Sequence, residues 1–263
     1  MKIVVLVKQV PDSGADRNLR SDDNTVDRAS ANNVINEMDE YAIEEALRLQ
    51  EAHGGEVVVL TVGPDRATES IRKALSMGPD AAVHVVDDAL HGSCAVATSK
   101  VLAAAIAQQN ADLVICGAES TDGRVQVLPH MIAERLGIAA LTGARKLTVE
   151  DGKGGSILTI ERQTDEGYEV VSAATPALVS VWDTINDPRY PSFKGIMAAK
   201  KKPLQTLSLS DLGVPAAEVG FDGATSTVVE HSKRPPRQAG NKVDAGDDGG
   251  VKLVEYLASE KFV

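Results

Sequence analysis

Residues 117–126, GAESTDGRVQ, follow the apolar run DLVIC and open a helical pattern. Backbone N–H groups at a helix start, backed by the helix dipole, favour an anion such as phosphate. Gly117 and Gly123 permit a ligand to approach the backbone closely. An ordinary βα turn with Ser, Thr or Asp as the helix cap has the same composition, so both readings stand on these residues. No GxGxxG and no GxxxxGK[ST] occurs, hence neither a dinucleotide fingerprint nor a P-loop. The sequence also lacks GxSxG and HExxH, which leaves hydrolysis without support. His53, His84, His91, His130 and His231 are scattered and read as surface or helix-end residues. Cys94 and Cys116 are far apart, with no CxxC and no histidine cluster, so the expected metal content is none and no disulfide framework is indicated. Asp12, Asp122 and Asp165 fall in loops, where Asp serves turns.

A second stretch, DPRYPSFKGIMAAKKKP (187–203), carries three prolines and a basic run. Its Phe193 is one of only three phenylalanines. An apolar anchor rimmed by charge has the make-up of a docking site. The plainer reading makes Phe193, Ile196 and Met197 the apolar face of a short helix covering a sheet, with Lys194 and Lys200 to Lys202 solvated.

The elements that must position these residues alternate. KIVVLVK (2–8) is a β-branched run suited to a strand buried on both faces. Met38, Ala42, Ala46 and Leu49 line one helix face, closed by His53-Gly54-Gly55. EVVVLTV (56–62) is a strand, and Gly63-Pro64-Asp65 turns into a helix that Gly78-Pro79 stops. A strand over 81–86, a helix over 95–108, a strand over 112–116 and a helix from about 126 to 136 complete four repeats. The pattern predicts an α/β fold: a doubly wound, Rossmann-like parallel sheet of the adenine-nucleotide-binding type. Such sheets bind ligands beyond the carboxyl ends of their strands, where the strand order switches. Those ends are 6–12, 62–65 and 117–126. After residue 143, LTVED-GKGG-SILTIERQT, YEVVSAAT and PALVSVWD read as an antiparallel strand extension of the same sheet. Beyond 203 the chain is poor in periodic structure and rich in Pro, Gly and Asp until a short helix over 251–261. The expected division is therefore a nucleotide-binding domain over 1–203, including the loop 188–202, and an extended C-terminal arm over 204–263 that packs on another protein.

Bulk properties set outer limits. The 263 residues are 43% hydrophobic but only 3% aromatic, so the core is Val, Ile, Leu and Ala. A net charge of -11 argues against nucleic acid as the main partner. The first apolar run is short and ends at Pro11, and nothing approaches the roughly 20 apolar residues of a membrane span. A cytoplasmic location without membrane insertion is expected.

VLVKQVPD, NEMDEYAIEEALRLQ, VGPDRATESIRKALSMGPDAAVHV, DLVICGAESTDGRVQ and DPRYPSFKGIMAAKKK, in that order, resemble the beta subunit of electron transfer flavoprotein. The resemblance runs from residue 2 to about 203, with the last stretch the most specific. It implies a heterodimer in which FAD sits mainly on an alpha subunit and the beta subunit buries an AMP that is structural. It implies an electron carrier, not an enzyme, serving acyl-CoA or other flavin dehydrogenases and a membrane quinone reductase. On this resemblance the nucleotide pocket comprises Leu6, Asn36, Glu37, Met38, Asp39 and Val62, with Gly117, Asp122, Gly123, Gln126, Val127 and Leu128 at the phosphate end. The docking loop carries Phe193, Ile196, Met197 and Lys200, and Gln163 faces the alpha subunit.

Three departures from the family pattern follow. Relatives often carry Asn-Gln-Thr where this chain has Gln126, Val127 and Leu128, which removes two side-chain donors. Gln163 stands where many have glutamate, and Phe193 where many have leucine. A different class of reading, an ATP-binding or hydrolysing domain of the stress-protein or ATP-pyrophosphatase kind, fits the same sheet. It is disfavoured because KQVPDSG, not an SGGxDS-type loop, follows the first strand. A plain protein-binding module without nucleotide is the third reading.

Overall fold

The β-branched run at the start of the chain forms β1 (Lys2–Leu6). Ile3 and Val5 belong to one core layer and Val4 and Leu6 to the other. Alternate side chains of a strand leave on opposite faces, so a run apolar at every position requires a covering layer on both sides. A computed structural model describes residues 1–152, 154–237, 240, 242 and 246–263, and in it both layers are present.

The polar segment after β1 is bracketed by a small antiparallel pair, β2 (Gln9–Pro11) and β3 (Asn33–Ile35). Then come α1 (Glu37–His53), β4 (Glu56–Val62), α2 (Thr68–Met77), β5 (Ala81–Val85), α3 (Ala95–Gln109), β6 (Leu113–Gly117) and α4 (Leu128–Leu136). Ala42, Ile43, Ile71 and Leu75 from α1 and α2 pack on the Ile3–Val5 face. Val101, Leu102, Ile132 and Ala133 from α3 and α4 pack on the Val4–Leu6 face. Each such side chain fully withdrawn from water contributes about 1.5–3 kcal/mol for the larger ones, which is why the repeat holds without aromatic residues.

The rest of the main sheet comes from β7 (Ala139–Gly152), β8 (Gly155–Thr164), β9 (Gly167–Ala174), β10 (Ala177–Val181) and, after α5 (Phe193–Ala199), β11 (Leu204–Leu207). Among the described residues it has nine strands in the order β11-β5-β4-β1-β6-β10-β7-β8-β9. The chain steps outward from β1 to β4 and β5, then returns to place β6 on β1's other side. The strand order therefore switches at β1, and the crevice expected at a switch lies beyond Leu6 and Gly117.

Two expectations are corrected. PALVSVWD does not extend the antiparallel edge. It forms β10, buried at all five positions and parallel to both β6 and β7. Only β7, β8 and β9 form the antiparallel extension. The continuous apolar run Ala177–Val181 is what a strand buried on both faces needs. The second correction concerns the domain boundary at 203. The compact unit runs Met1–Val229: β11 pairs parallel with β5, and Leu207, Leu209, Val214 and Val219 join the α3–α4 core layer. Leu207 ends β11 and the other three are spaced along the irregular strap after it, so no sustained helical or strand period marks them.

The second unit, Glu230–Val263, contains α6 (Gly249–Ser259), on which Val251, Leu253, Val254 and Tyr256 are exposed. Part of the Pro/Gly/Asp-rich run expected in the arm (238, 239, 241 and 243–245) lies outside the described residues. Among the described residues no helix is long and apolar enough to cross a membrane.

Candidate functional site

At the switch, the last residues of β1 and β6 meet the first turn of α1. Gly117 ends β6 so close to that turn that a Cβ there would fall 2.5 Å from Met38 Cβ and 2.8 Å from Asp39 Oδ1. Glycine is thus required at 117 by contact, independent of any ligand. Asn36 occupies the N-cap position of α1, yet its side chain does not bond back to its own helix start through the usual amides. Its Nδ2 donates to Asp39 Oδ1 (2.9 Å) and to the Glu119 carbonyl (3.0 Å), and its Oδ1 accepts from the Thr121 N–H (3.0 Å). One buried amide thereby fastens the 117–127 loop to α1. Asp39 Oδ2 accepts the Lys8 N–H at 2.8 Å, which fixes the chain leaving β1. Burial pushes the Asp39 carboxyl up to about 7, against the pull of Asn36 and the Lys8 and Gly117 amides.

The loop itself is built around Asp122, whose side chain is 1% exposed. Lys8 Nζ donates to Asp122 Oδ1 (2.7 Å) and to Ser120 Oγ (3.2 Å), and Arg28 Nη2 pairs with Asp122 Oδ2. Burial alone would raise the Asp122 carboxyl, but Lys8 and Arg28 outweigh it and hold it well below the usual carboxylate range. Desolvation lowers the Lys8 ammonium while Asp122 opposes it. Lys8 keeps 42% of its side chain open and has a carboxylate at 2.7 Å. Lys8 and Arg28 thus face one buried carboxylate. The segment between β2 and β3 bridges this loop a second time, through Arg17 Nη1 on the Thr121 carbonyl at 2.5 Å.

Among the described residues, the amides of Gly123, Val125, Gln126 and Val127 donate to no protein acceptor. Leu128 donates to the Val125 carbonyl instead, and α4 starts at Leu128, two residues later than expected, with Pro129 in its first turn. The Gln126 side chain is held by Glu119 Oε2 at 2.9 Å. Two of the three buried side-chain atoms lacking a partner among the described residues, Thr61 Oγ1 and Asn33 Oδ1, sit on the segments bordering the crevice. Val62 is half-buried at the end of β4 and Leu6 is buried at the end of β1. Free amides beside Lys8 and Arg28, with an apolar wall at the strand ends, could hold an anionic group such as a phosphate at the loop. Glu37 is exposed and accepts from Ser13 Oγ (2.9 Å), so it faces the covering segment.

Two surface hollows lie elsewhere, around residues 188–202. One, of about 590 Å³, is lined by Arg72, Lys73, Ser76, Pro191, Ile196 and Lys200 among others. Arg189 anchors the segment to α1, reaching Glu44 Oε2 (2.7 Å) and Glu51 Oε1 (2.6 Å). Burial would raise Glu44, but Arg189 and Arg48 bring it below its ordinary value. Ser192 caps α5 by accepting the Gly195 N–H at 3.0 Å. Gly195 presses on α2, where any Cβ would collide with the Ser76 carbonyl. Lys202 Nζ closes the far end by capping α2 through the Leu75 and Gly78 carbonyls (3.0 and 2.7 Å). The expectation that Phe193, Ile196 and Met197 cover the sheet is overturned. A helix does form, but it rests on α2 through Ala199 and leaves Phe193 81% exposed, with Ile196 and Met197 about half exposed. Tyr190 beside them is 96% exposed.

Gln163 lies exposed near the β8–β9 turn and accepts from Thr184 Oγ1 (3.3 Å), far along the strand order from the crevice. His84 departs from the surface role expected of it: it is buried on β5, its Nε2 3.1 Å from the Gly63 carbonyl. Both cysteines are unbridged, and no cluster of His, Cys, Asp and Glu able to hold a metal occurs among the described residues. Sequence reasoning missed Lys8, Arg28 and Arg189. Lys8 did carry a signal, as the first charge after a doubly buried strand, at the end where ligands bind.

Residues 23–212 match the model of the electron transfer flavoprotein domain. Over 267 residues, 99% of both chains, the sequence is 49% identical to an electron transfer flavoprotein subunit beta from Mycobacterium leprae. It is 39% identical to the subunit of the same name from Thermoanaerobacterium thermosaccharolyticum, over the whole of both chains. It is also 34% identical to a caffeyl-CoA reductase-Etf complex subunit from Acetobacterium woodii, covering 94% of this chain and 92% of the other.

Proposed function

Since the chain belongs to the electron transfer flavoprotein family, as a beta subunit, we propose that it holds AMP in the crevice at the β1–β6 switch and docks redox partners through residues 188–202. It is an electron-carrier subunit and makes no bonds of its own. FAD, which supplies the isoalloxazine that carries electrons when bound, is assigned to the alpha subunit. The observation carrying the nucleotide reading is the convergence at one crevice of Leu6, Val62 and Gly117, a loop with free amides, and two cations on Asp122.

In this reading Leu6 and Val62 flank the base, and Asn36 to Asp39 hold the α1 turn against the loop. The loop from Gly117 through Asp122 and Gly123 to Gln126, Val127 and Leu128 receives the phosphate. Phe193 is the anchor that enters a partner's pocket, with Ile196 and Met197 beside it and Lys200 on the rim. Gln163 and the exposed face of α6 contact the alpha subunit, so the partner-binding arm begins at 230 rather than 204. The partners are acyl-CoA or related flavin dehydrogenases as donors and a membrane quinone reductase as acceptor. The Acetobacterium relative is named for a complex with a caffeyl-CoA reductase, which agrees with an enzyme of CoA esters as a redox partner.

Nucleotide analysis tests the reading. The two-subunit complex is purified, denatured, and its released nucleotides quantified. We expect one FAD and one AMP per complex. Two FAD would overturn AMP at this site, and ATP or ADP without flavin would overturn the carrier assignment of the site altogether.

A further inference from the structure

The 117–127 loop needs a counter-charge for a phosphate, and its own side chains supply little of it. Gln126 is committed to Glu119, Val127 and Leu128 are apolar, and Arg124 is exposed. Lys8 is placed differently: its Nζ lies 3.9 Å from where a Cβ on Gly123 would be, beside the free amides. Arg28 reaches the same carboxylate from the opposite side, carried on the segment between β2 and β3. Its backbone is fixed three ways. The Arg28 N–H donates to the Val26 carbonyl (2.9 Å), and its own carbonyl accepts from Arg66 Nη1 (2.6 Å) and Asn33 Nδ2 (2.7 Å). Arg66 follows β4, so the tie holds Arg28 between the ends of β4 and β6. Only the side chain, 34% exposed, is free to turn. Asp122 has both oxygens occupied and is buried, and it serves to aim two cations rather than to cancel both.

Resting on the nucleotide reading above, we infer that Arg28 is a phosphate-binding residue of this site, brought to the crevice by the covering segment, and that it acts with Lys8. A guanidinium offers five N–H donors in a planar fork, so one edge can stay on Asp122 while another meets a phosphate oxygen. The ligand class this selects is a nucleoside phosphate over the bare nucleoside.

The test is displacement of labelled AMP from the intact two-subunit complex by unlabelled AMP or by adenosine. For Arg28→Gln we expect AMP affinity to fall on the order of 10- to 100-fold, as for loss of a charged hydrogen bond, with adenosine affinity unchanged. Arg28→Lys should recover part of the loss. Equal losses for AMP and adenosine would mean that Arg28 only supports the segment, and would overturn the inference. So would unchanged AMP binding in Arg28→Gln while Asn36→Ala loses it, which leaves the nucleotide reading standing. If the unmodified complex takes up no labelled AMP and releases none, the nucleotide reading fails first and the inference with it.

Discussion

At the scale of single residues, two buried carboxylates in one crevice are tuned in opposite directions. Asp122 sits between Lys8 and Arg28 and stays ionised. Asp39, a few ångströms from the same loop, accepts from amide donors, and desolvation outweighs these and the Lys8 charge, raising it from 3.8 to about 7. The native state therefore holds a proton on Asp39 between about pH 4 and 7 that the unfolded chain has lost. By linkage, the stability this contributes is present below pH 4 and fades as pH rises toward 7. Asp122 works the other way: its share is present above the ordinary carboxylate value and is lost on acidification. Asp39→Asn removes the first slope and leaves the second. We expect the variant's thermal midpoint to stop falling between pH 4 and 7. It should also carry a pH-independent cost of about 1–3 kcal/mol, because an NH₂ would face the Asn36 donor. An unaltered pH slope in thermal denaturation would show that Asp39 does not titrate there.

At the scale of elements, α1 carries the argument. Its first turn, through Asn36 and Asp39, holds the 117–127 loop, while Glu44 and Glu51 further along hold Arg189 of the 188–202 segment. Glu44 is buried, with 5% of its side chain exposed. Arg189 is partly open, so its bidentate pairing is worth less than a buried bridge, about 1–2 kcal/mol after solvent screening. Arg189→Gln should loosen residues 188–192 and raise the KM for a partner dehydrogenase several-fold, with kcat little changed. Lysine should not rescue it, because a point charge cannot fork to two carboxylates. Steady-state kinetics with the donor dehydrogenase check this, and an equal fall in kcat with constant KM would contradict it.

The elements also show what the sequence made legible. The four βα repeats were readable because β1, β4 and β6 are apolar at nearly every position and glycines close α1 and α2. The crevice was readable because it follows from the strand switch. The antiparallel edge was placed correctly for β7 to β9, whereas β10 was misplaced. Its apolar run signals double burial, but nothing local says which strands flank it. The strap after α5 was hidden for a related reason. Leu207, Leu209, Val214 and Val219 pack through long-range contacts that leave no period. At the site, Leu6, Asn36, Asp39 and Gly117 were indicated on the strand ends and the family resemblance. Lys8, Arg28 and Arg189 act across 114, 94 and 145 residues of sequence, and such pairings are invisible until the chain is folded.

At the scale of the whole molecule, the protein presents surfaces that its own core does not use. In the unit Met1–Val229, these include the group Tyr190, Phe193, Ile196 and Met197. In the unit Glu230–Val263, Val251, Val254 and Tyr256 of α6 are exposed. A single exposed apolar residue is ordinary, whereas an exposed Tyr190 and Phe193 grouped at the start of a capped helix with a lysine rim have the composition of an interface centre. An electron carrier must bind its donor specifically yet release it, and a few anchors on a rigid mount suit that better than a broad apolar face. The central claim is that this chain docks its donor through Phe193 and does no chemistry itself. Its most direct test is the rate at which the two-subunit complex is reduced by its partner dehydrogenase, compared between the unmodified protein and Phe193→Ala, with flavin content measured in both. The account predicts a loss on the order of tenfold or more in kcat/KM, as for removal of an aromatic hot spot, with flavin content unchanged. Full reduction rates in Phe193→Ala would contradict it.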